Sequence, residues 1–218
     1  MKPTKEYNGR SRIRMFNMCC ESYMNLCKEN RYDLAIVDPP YGIGFDGQKE
    51  STSKHGGRRA KEFKGWDSNA PDKDYFDFLF NVSENQIIWG ANYFTNYLPP
   101  SMGWVFWDKG QRICNSDGEL AFTSFERALR VYEVNRAYIT QNGDTKHPTQ
   151  KPVKLYKWLL TNYAKEGDTI LDTHGGSMSI AIACWDLGFD LDVCELDTDY
   201  FNDAVKRFES HIAQTQLF

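Results

Sequence analysis

The stretch "DLAIVDPPYGIG", residues 33–44, decides how the chain is read. Asp33 leads into the apolar run Leu34–Val37, whose length and β-branched content predict a buried strand. The run stops at Asp38, Pro39, Pro40 and Tyr41. The prolines fix φ and hold Asp38 in extended geometry, so a carboxylate and an aromatic ring sit rigidly at the end of a core strand.

Working outward, strand-length apolar runs recur at "QIIWG", "GWVFW", "LAFTSF", "TILDT" and "LDVCEL". Between several of them lie segments with helical spacing: "DKDYFDFLFNVS", "KPVKLYKWLLTNYAKEG" and "SMSIAIACWDLGF". A last helix is predicted over "TDYFNDAVKRFESHI", with Thr198 or Asp199 as N-cap. Such alternation implies an α/β fold with a mostly parallel, doubly wound sheet, whose ligands bind beyond the carboxyl ends of the strands. Asp38–Tyr41 falls at that location.

With 218 residues and 41% hydrophobic content the chain can bury one sizeable core, so residues 1–218 are read as a single domain. No run approaches the roughly 20 apolar residues of a membrane helix, and "MKPTKEYNGRSR" precedes no apolar segment, which makes the cytoplasm the default. Six cysteines form no C-x-x-C pair and do not combine with the four histidines at metal-ligand spacing, so they are read as reduced packing residues and no metal is expected. A net charge of -4 argues against bulk attraction to a polyanion. A local basic patch exists, however: Lys49, Lys54, Arg58, Arg59, Lys61 and Lys64 face only Glu50 and Glu62 in "KESTSKHGGRRAKEFK".

A small-molecule signal lies near the C-terminus. The strand ending at Asp172 is followed by Gly175 and Gly176 and by a helix start near Ser177, and Glu195 closes the next strand. Glycines admit close backbone approach, a helix start offers free N–H groups, and an acid about 20 residues on is placed to accept from ribose hydroxyls. The turn lacks the full G-x-G-x-x-G and any P-loop lysine, which favours a nucleoside ligand without a diphosphate; S-adenosylmethionine is the common one.

With both sites read, the chain resembles the DNA amino-methyltransferases, in the permuted order where the catalytic strand precedes the cofactor strand. The family tetrapeptide Asp/Asn/Ser-Pro-Pro-Tyr stands as Asp38–Tyr41, "HPTQKP" (147–152) resembles the entry to the helix before the cofactor strand, and "ILDTHGGS" takes the place of the cofactor loop. "NQIIWGANYF" and "GWVFWDKG" resemble intermediate strands. Met178 stands where the family has its second loop glycine, Thr173 and His174 replace its proline and phenylalanine, and Cys19 aligns with an upstream acid that often meets the cofactor's adenine.

The resemblance implies a Rossmann-like methyltransferase fold with an antiparallel strand, S-adenosylmethionine as cofactor, and methylation of N6 of a flipped adenine in double-stranded DNA. It assigns catalysis to Asp38, Pro39, Pro40 and Tyr41, and cofactor contacts to Asp172, His174, Gly175, Gly176, Ser177, Glu195, Thr149 and Lys151. Stretches 45–75 and 108–146 are candidate DNA-contacting insertions, with Lys54, Arg58, Arg59, Lys61, Lys64 and Arg112 as candidate contacts; Lys109 accompanies Arg112 in the second. His147 is given no catalytic role, and Trp89, Trp104 and Trp107 are read as core. Self-pairing into a homodimer, as in some relatives, is a further expectation, and no membrane partner is expected. Cytosine N4 is the nearest rival target, although that branch more often has Ser at the Asp38 position. Methylation of RNA or of protein glutamine fits less well, because those relatives usually begin the tetrapeptide with Asn. A catalytically inactive DNA-binding relative, with Met178 and Cys19 marking a decayed pocket, is the reading from another class.

Overall fold

A computed structural model describes residues 1–44, 46–47, 64–110, 116–135 and 150–215. Among them nine strands form one sheet: β1 (Lys5–Asn8), β2 (Arg12–Phe16), β3 (Tyr32–Val37), β4 (Ser83–Trp89), β5 (Trp104–Asp108), β6 (Gly118–Thr123), β7 (Arg130–Glu133), β8 (Thr169–Asp172) and β9 (Asp190–Cys194). Their spatial order is β1-β2-β9-β8-β3-β4-β6-β5-β7. From β2 to β4 all pairings are parallel. Strand β6 runs against both β4 and β5, while β7 is parallel to β5.

The expected mostly parallel sheet is present, with three strands that the apolar runs did not name, β1, β2 and β7; of these, β1 is a second reversed strand, paired antiparallel to β2 through a tight hairpin. The signal in β2 was readable, because Ile13 and Met15 are buried while Arg12 and Arg14 alternate with them. Strand β1 is polar and mostly exposed, and carries no such pattern.

The helices are α1 (Cys20–Met24), α2 (Lys73–Val82), α3 (Val153–Tyr163), α4 (Ser179–Leu187) and α5 (Thr198–Thr215). Alternation along β3 divides the core between the two faces of the sheet: Leu34 and Ile36 join one apolar cluster with α3, α4 and α5, and Ala35 and Val37 join the other with α1 and α2. In α3, Leu155, Leu159 and Leu160 lie on one buried stripe, and burying each such side chain contributes about 1.5–3 kcal/mol. Helix α4 is buried almost all round. Helix α2 starts where Asp72 accepts from the amides of Asp74 and Tyr75. For α5 the expected cap, Thr198 or Asp199, is corrected to Asp197, whose Oδ1 accepts from the amides of Asp199 and Tyr200, both at 2.9 Å. No helix among the described residues is long and apolar enough to cross a membrane.

Topology then sets the site. Strands β9, β8, β3 and β4 are consecutive neighbours, so the turns after β8 and β3 meet at one rim of the sheet. Because β6 is reversed, its first residues reach the same rim, with Glu119 opposite Trp107 at the end of β5. The stretch 108–146 is therefore not an insertion along its whole length, since it supplies β6 and β7 to the sheet.

Candidate active site

Asp38–Tyr41 leaves β3 at that rim and is locked by a residue the sequence did not mark. Asp67 Oδ1 accepts from the amides of Tyr41 at 2.7 Å and Gly42 at 2.9 Å, and is buried. These bonds satisfy two donors that the proline turn leaves without a ladder partner. Tyr41 donates its hydroxyl to Asp38 Oδ1 at 2.7 Å, and its ring stacks on Tyr93 with centroids 5.1 Å apart and planes 14° from parallel. The aromatic surface is thus a pair rather than Tyr41 alone.

Asp38 also meets an ammonium. Lys151 Nζ forms ion pairs with Asp38 Oδ2 and, at 3.1 Å, with Glu119 Oε2, and Lys109 Nζ reaches Glu119 Oε1 at 2.9 Å. Lys151 is 3% exposed and lies over the Trp89 ring at 5.3 Å. Burial pushes Asp38 above the usual carboxylate range and Glu119 adds to the push, while Lys151 and the Tyr41 hydroxyl oppose it. Burial raises Glu119 too, but two ammonium groups outweigh it and hold that carboxyl low, at about 2. Of the pair, Asp38 is the carboxylate nearer to taking up a proton, because Glu119 has Lys109 to itself. Burial depresses Lys151, yet the two carboxylates together keep it charged.

Two cavities meet at this point. The first, about 500 Å³, is lined by His174, Gly175, Gly176, Ser177, Glu195 and Lys151, along with Cys19, Glu21 and Lys64. The second, about 490 Å³, is lined by Asp38, Pro39, Tyr41, Tyr93, Trp107, Lys109 and Glu119. Asp38, Pro40, Trp66 and Gln150 belong to both walls.

In the first cavity, Glu195 is aimed by two backbone amides, Gly176 N to Oε2 at 2.7 Å and Asp197 N to Oε1 at 2.8 Å, and burial raises its pKa. Each carboxylate oxygen keeps a further acceptor site. Gln150 is 6% exposed and its Oε1 is buried with no partner among the described residues. A buried acceptor without a donor is costly, so this wall calls for a ligand that donates. S-adenosylmethionine carries ribose hydroxyls and an ammonium, and the donor-seeking groups of the cavity fit it.

The cofactor loop differs in role from residue to residue. Asp172 is not part of the cavity wall: its Oδ1 accepts from His174 N at 2.9 Å, and burial pushes its pKa up to about 8. His174 lines the cavity as a neutral imidazole, burial lowering its pKa to about 4, with Nδ1 2.9 Å from Thr173 Oγ1. Met178 occupies the family's glycine position with φ of 52°, and its side chain is wholly buried in the core rather than turned to the cavity. The departure at Met178 therefore leaves the pocket open. Glu21 lines the cavity beside Cys19, so an acid is present at that end after all.

Lys64, expected on DNA, lies at the first cavity with Nζ 2.9 Å from Asp197 Oδ2 and 2.9 Å from Asp199 Oδ2, which makes it part of this rim rather than a free phosphate contact. Lys54, Arg58, Arg59, Lys61, Arg112, His147 and Thr149 lie outside the described residues. Trp89 and Trp107 are buried as expected, though Trp107 also borders the second cavity. Lys109, read with Arg112 as a candidate DNA contact, is instead buried and ion-paired to Glu119 at 2.9 Å; Asp67, Tyr93, Glu119 and Gln150 were missed or left without a role.

A mixed sheet of this order with helices on both faces and cavities at one strand rim is a Rossmann-like α/β fold. The profile of the family described as "DNA methylase" matches residues 99–206. The chain is 22% identical over 235 aligned positions to the Type II methyltransferase M.HpaI of Haemophilus parainfluenzae, covering 84% of this chain and 70% of that protein. It is also 22% identical to M2.DpnII of Streptococcus pneumoniae, covering 95% and 93%. Solved structures share the fold: the M1.HpyAVI–SAM complex at TM-score 0.58 and 18% identity, covering 89% of this chain and 99% of that one. The cytosine-N4-specific PvuII DNA methyltransferase superposes at TM-score 0.60 and 12% identity, covering 95% and 88%. Over residues 99–206, just under half of its length, the chain is similar to the DNA methylase family, and its relatives among the Type II methyltransferases extend that similarity over most of the chain.

Proposed function

We propose that the protein is an S-adenosylmethionine-dependent DNA methyltransferase that modifies N6 of an adenine extruded from double-stranded DNA. One observation carries the reading: the rigid Asp38–Pro40 turn forms the wall between two cavities of similar size, one lined by the glycine loop and Glu195, the other by aromatic rings. In the first, Glu195 would hold the ribose, with Gly176, Ser177 and Gln150 along the rest of the ligand. The bound cofactor supplies an electrophilic methyl group on a sulfonium.

The second cavity suits a base. An amine inside a duplex cannot reach such a site, so the nucleotide must be extruded, and stacking on Tyr41 and Tyr93 offsets part of the cost, about 1–3 kcal/mol. The exocyclic amine is a poor nucleophile because its lone pair is delocalised into the ring. Asp38 and the Pro39 carbonyl would accept its two hydrogens and turn its electron density toward the methyl group. Asp38 already accepts from Tyr41 and Lys151, one on each oxygen, and each oxygen has a second acceptor site left for the amine. The rigid turn means that these acceptors need no reorganisation during reaction.

Asp at position 38 favours adenine over cytosine. Lys64 is held by Asp197 and Asp199, and phosphate contact is assigned on the sequence's basic patch to Lys54, Arg58, Arg59 and Lys61, with Arg112 from the second stretch. Pairing of two copies on DNA and a cytoplasmic location complete the proposal; sedimentation with and without duplex reads the former.

The test is cofactor titration by calorimetry, followed by transfer of a labelled methyl group to duplex DNA and nucleoside digestion. Saturable cofactor binding, weakened at least tenfold in Glu195→Ala, and labelled N6-methyladenine are expected. Label in N4-methylcytosine would replace the base, and DNA binding without cofactor binding would support the inactive relative.

A further inference from the structure

The Asp38–Lys151–Glu119–Lys109 chain of alternating charges is more than the methylation reading requires, since an acceptor oxygen alone can polarise an amine. We propose that Lys151 and Glu119 are positioning residues for this reaction: Lys151 holds the Asp38 carboxylate charged and aimed at the second cavity, while Glu119, anchored by Lys109, fixes the Lys151 ammonium in place and tempers how fully it bears on Asp38. The inference rests on the methyltransferase reading for its purpose, but on geometry for its content.

The geometry is specific. Lys151 Nζ is buried between two carboxylates from different elements, the turn after β3 and the start of reversed β6. Glu119 in turn sits between two ammonium groups, with Lys109 at 2.9 Å and Lys151 at 3.1 Å. A buried carboxylate with no cation nearby takes up a proton, and a protonated Asp38 has one acceptor oxygen replaced by a donor. Lys151 prevents this. Glu119 works both ways: it fixes the ammonium in place, yet it draws part of that charge away from Asp38 and adds its own negative field.

Other titratable groups face Asp38 as well. Tyr41 donates to it from its own turn, and Tyr75 of α2 and Tyr156 of α3 are kept uncharged near neutrality by burial. Asp172, at the end of β8, is pushed up to about 8 by burial and is mostly uncharged near pH 7. Lys151 and Glu119 are thus the charges that govern Asp38.

The test is a ¹³C NMR titration of the Asp38 carboxyl in the cofactor-free protein, assigned by its loss in Asp38→Asn, beside the pH dependence of kcat for methyl transfer. Glu119→Gln keeps the shape of the chain and removes one negative charge, so the Asp38 midpoint and the acid limb of kcat should both move down by at least half a pH unit. Lys151→Met should move both up by at least one, and Asp38→Asn should abolish the acid limb while an acceptor oxygen remains. If Lys151→Met does not fold, Glu119→Gln decides. An Asp38 midpoint unmoved in Glu119→Gln overturns the proposal, as does an acid limb that persists in Asp38→Asn. A wild-type protein that transfers no methyl group sinks the functional reading instead, while the carboxyl titration still judges the coupling.

Discussion

Gly90 lies against the ring of Tyr41 with no room for a methyl group: a Cβ on Gly90 would fall 2.1 Å from Tyr41 Cε1, and the φ of +67° disfavours any side chain there. Gly90 follows β4 and borders the second cavity but not the first. Gly90→Ala should therefore displace Tyr41, loosen its hydrogen bond to Asp38 and lower kcat at least tenfold, because a small misplacement at a reacting centre is costly. Cofactor affinity should stay within about threefold. Steady-state kinetics beside calorimetry checks the split, and a loss confined to cofactor binding would contradict it.

At Met178 two effects oppose one another. A left-handed backbone costs a non-glycine residue roughly 1–2 kcal/mol, which glycine would relieve, whereas removing a fully buried methionine side chain costs about 2–5 kcal/mol. Packing wins. Met178→Gly should lose about 1–3 kcal/mol in urea unfolding and leave cofactor affinity nearly unchanged, since the side chain points into the core.

Much of the site was legible because it is contiguous. Asp38–Tyr41, the Gly175–Ser177 turn and Glu195 each sit at the end of an apolar run, so strand patterning alone aims them at one rim. Glu119, Lys109, Asp67, Tyr93 and Gln150 were not, for a common physical reason: each is a single polar or aromatic residue whose role arises only when distant strands are paired. Glu119 did carry one signal, a charge opening the apolar strand "GELAFT". Gln150 was quoted inside "HPTQKP" without a role, since a buried orphan acceptor exists only in three dimensions. Strand β7 had no apolar face to read, being mostly exposed along its length.

Asp172 gives the molecule a pH dependence of stability. Its folded-state pKa of about 8 lies above the ordinary carboxylate value, so across the window from about 4 to 8 folding takes up a proton and stability falls as pH rises. Asp172→Asn retains an acceptor for His174 N without a buried charge. Thermal melts should show the variant gaining on the wild type between pH 5 and pH 8 by at least about 2 kcal/mol. Parallel melting curves would contradict the buried ionisable group.

The most direct measurement is modification-detecting sequencing of DNA from cells producing the wild-type protein, beside cells producing Asp38→Ala. The expected result is N6-methyladenine at one short sequence context, present with the wild type and absent with Asp38→Ala. An unmodified genome with the wild type, or the same mark with both, would contradict the assignment of Asp38 as the acceptor that the target amine meets.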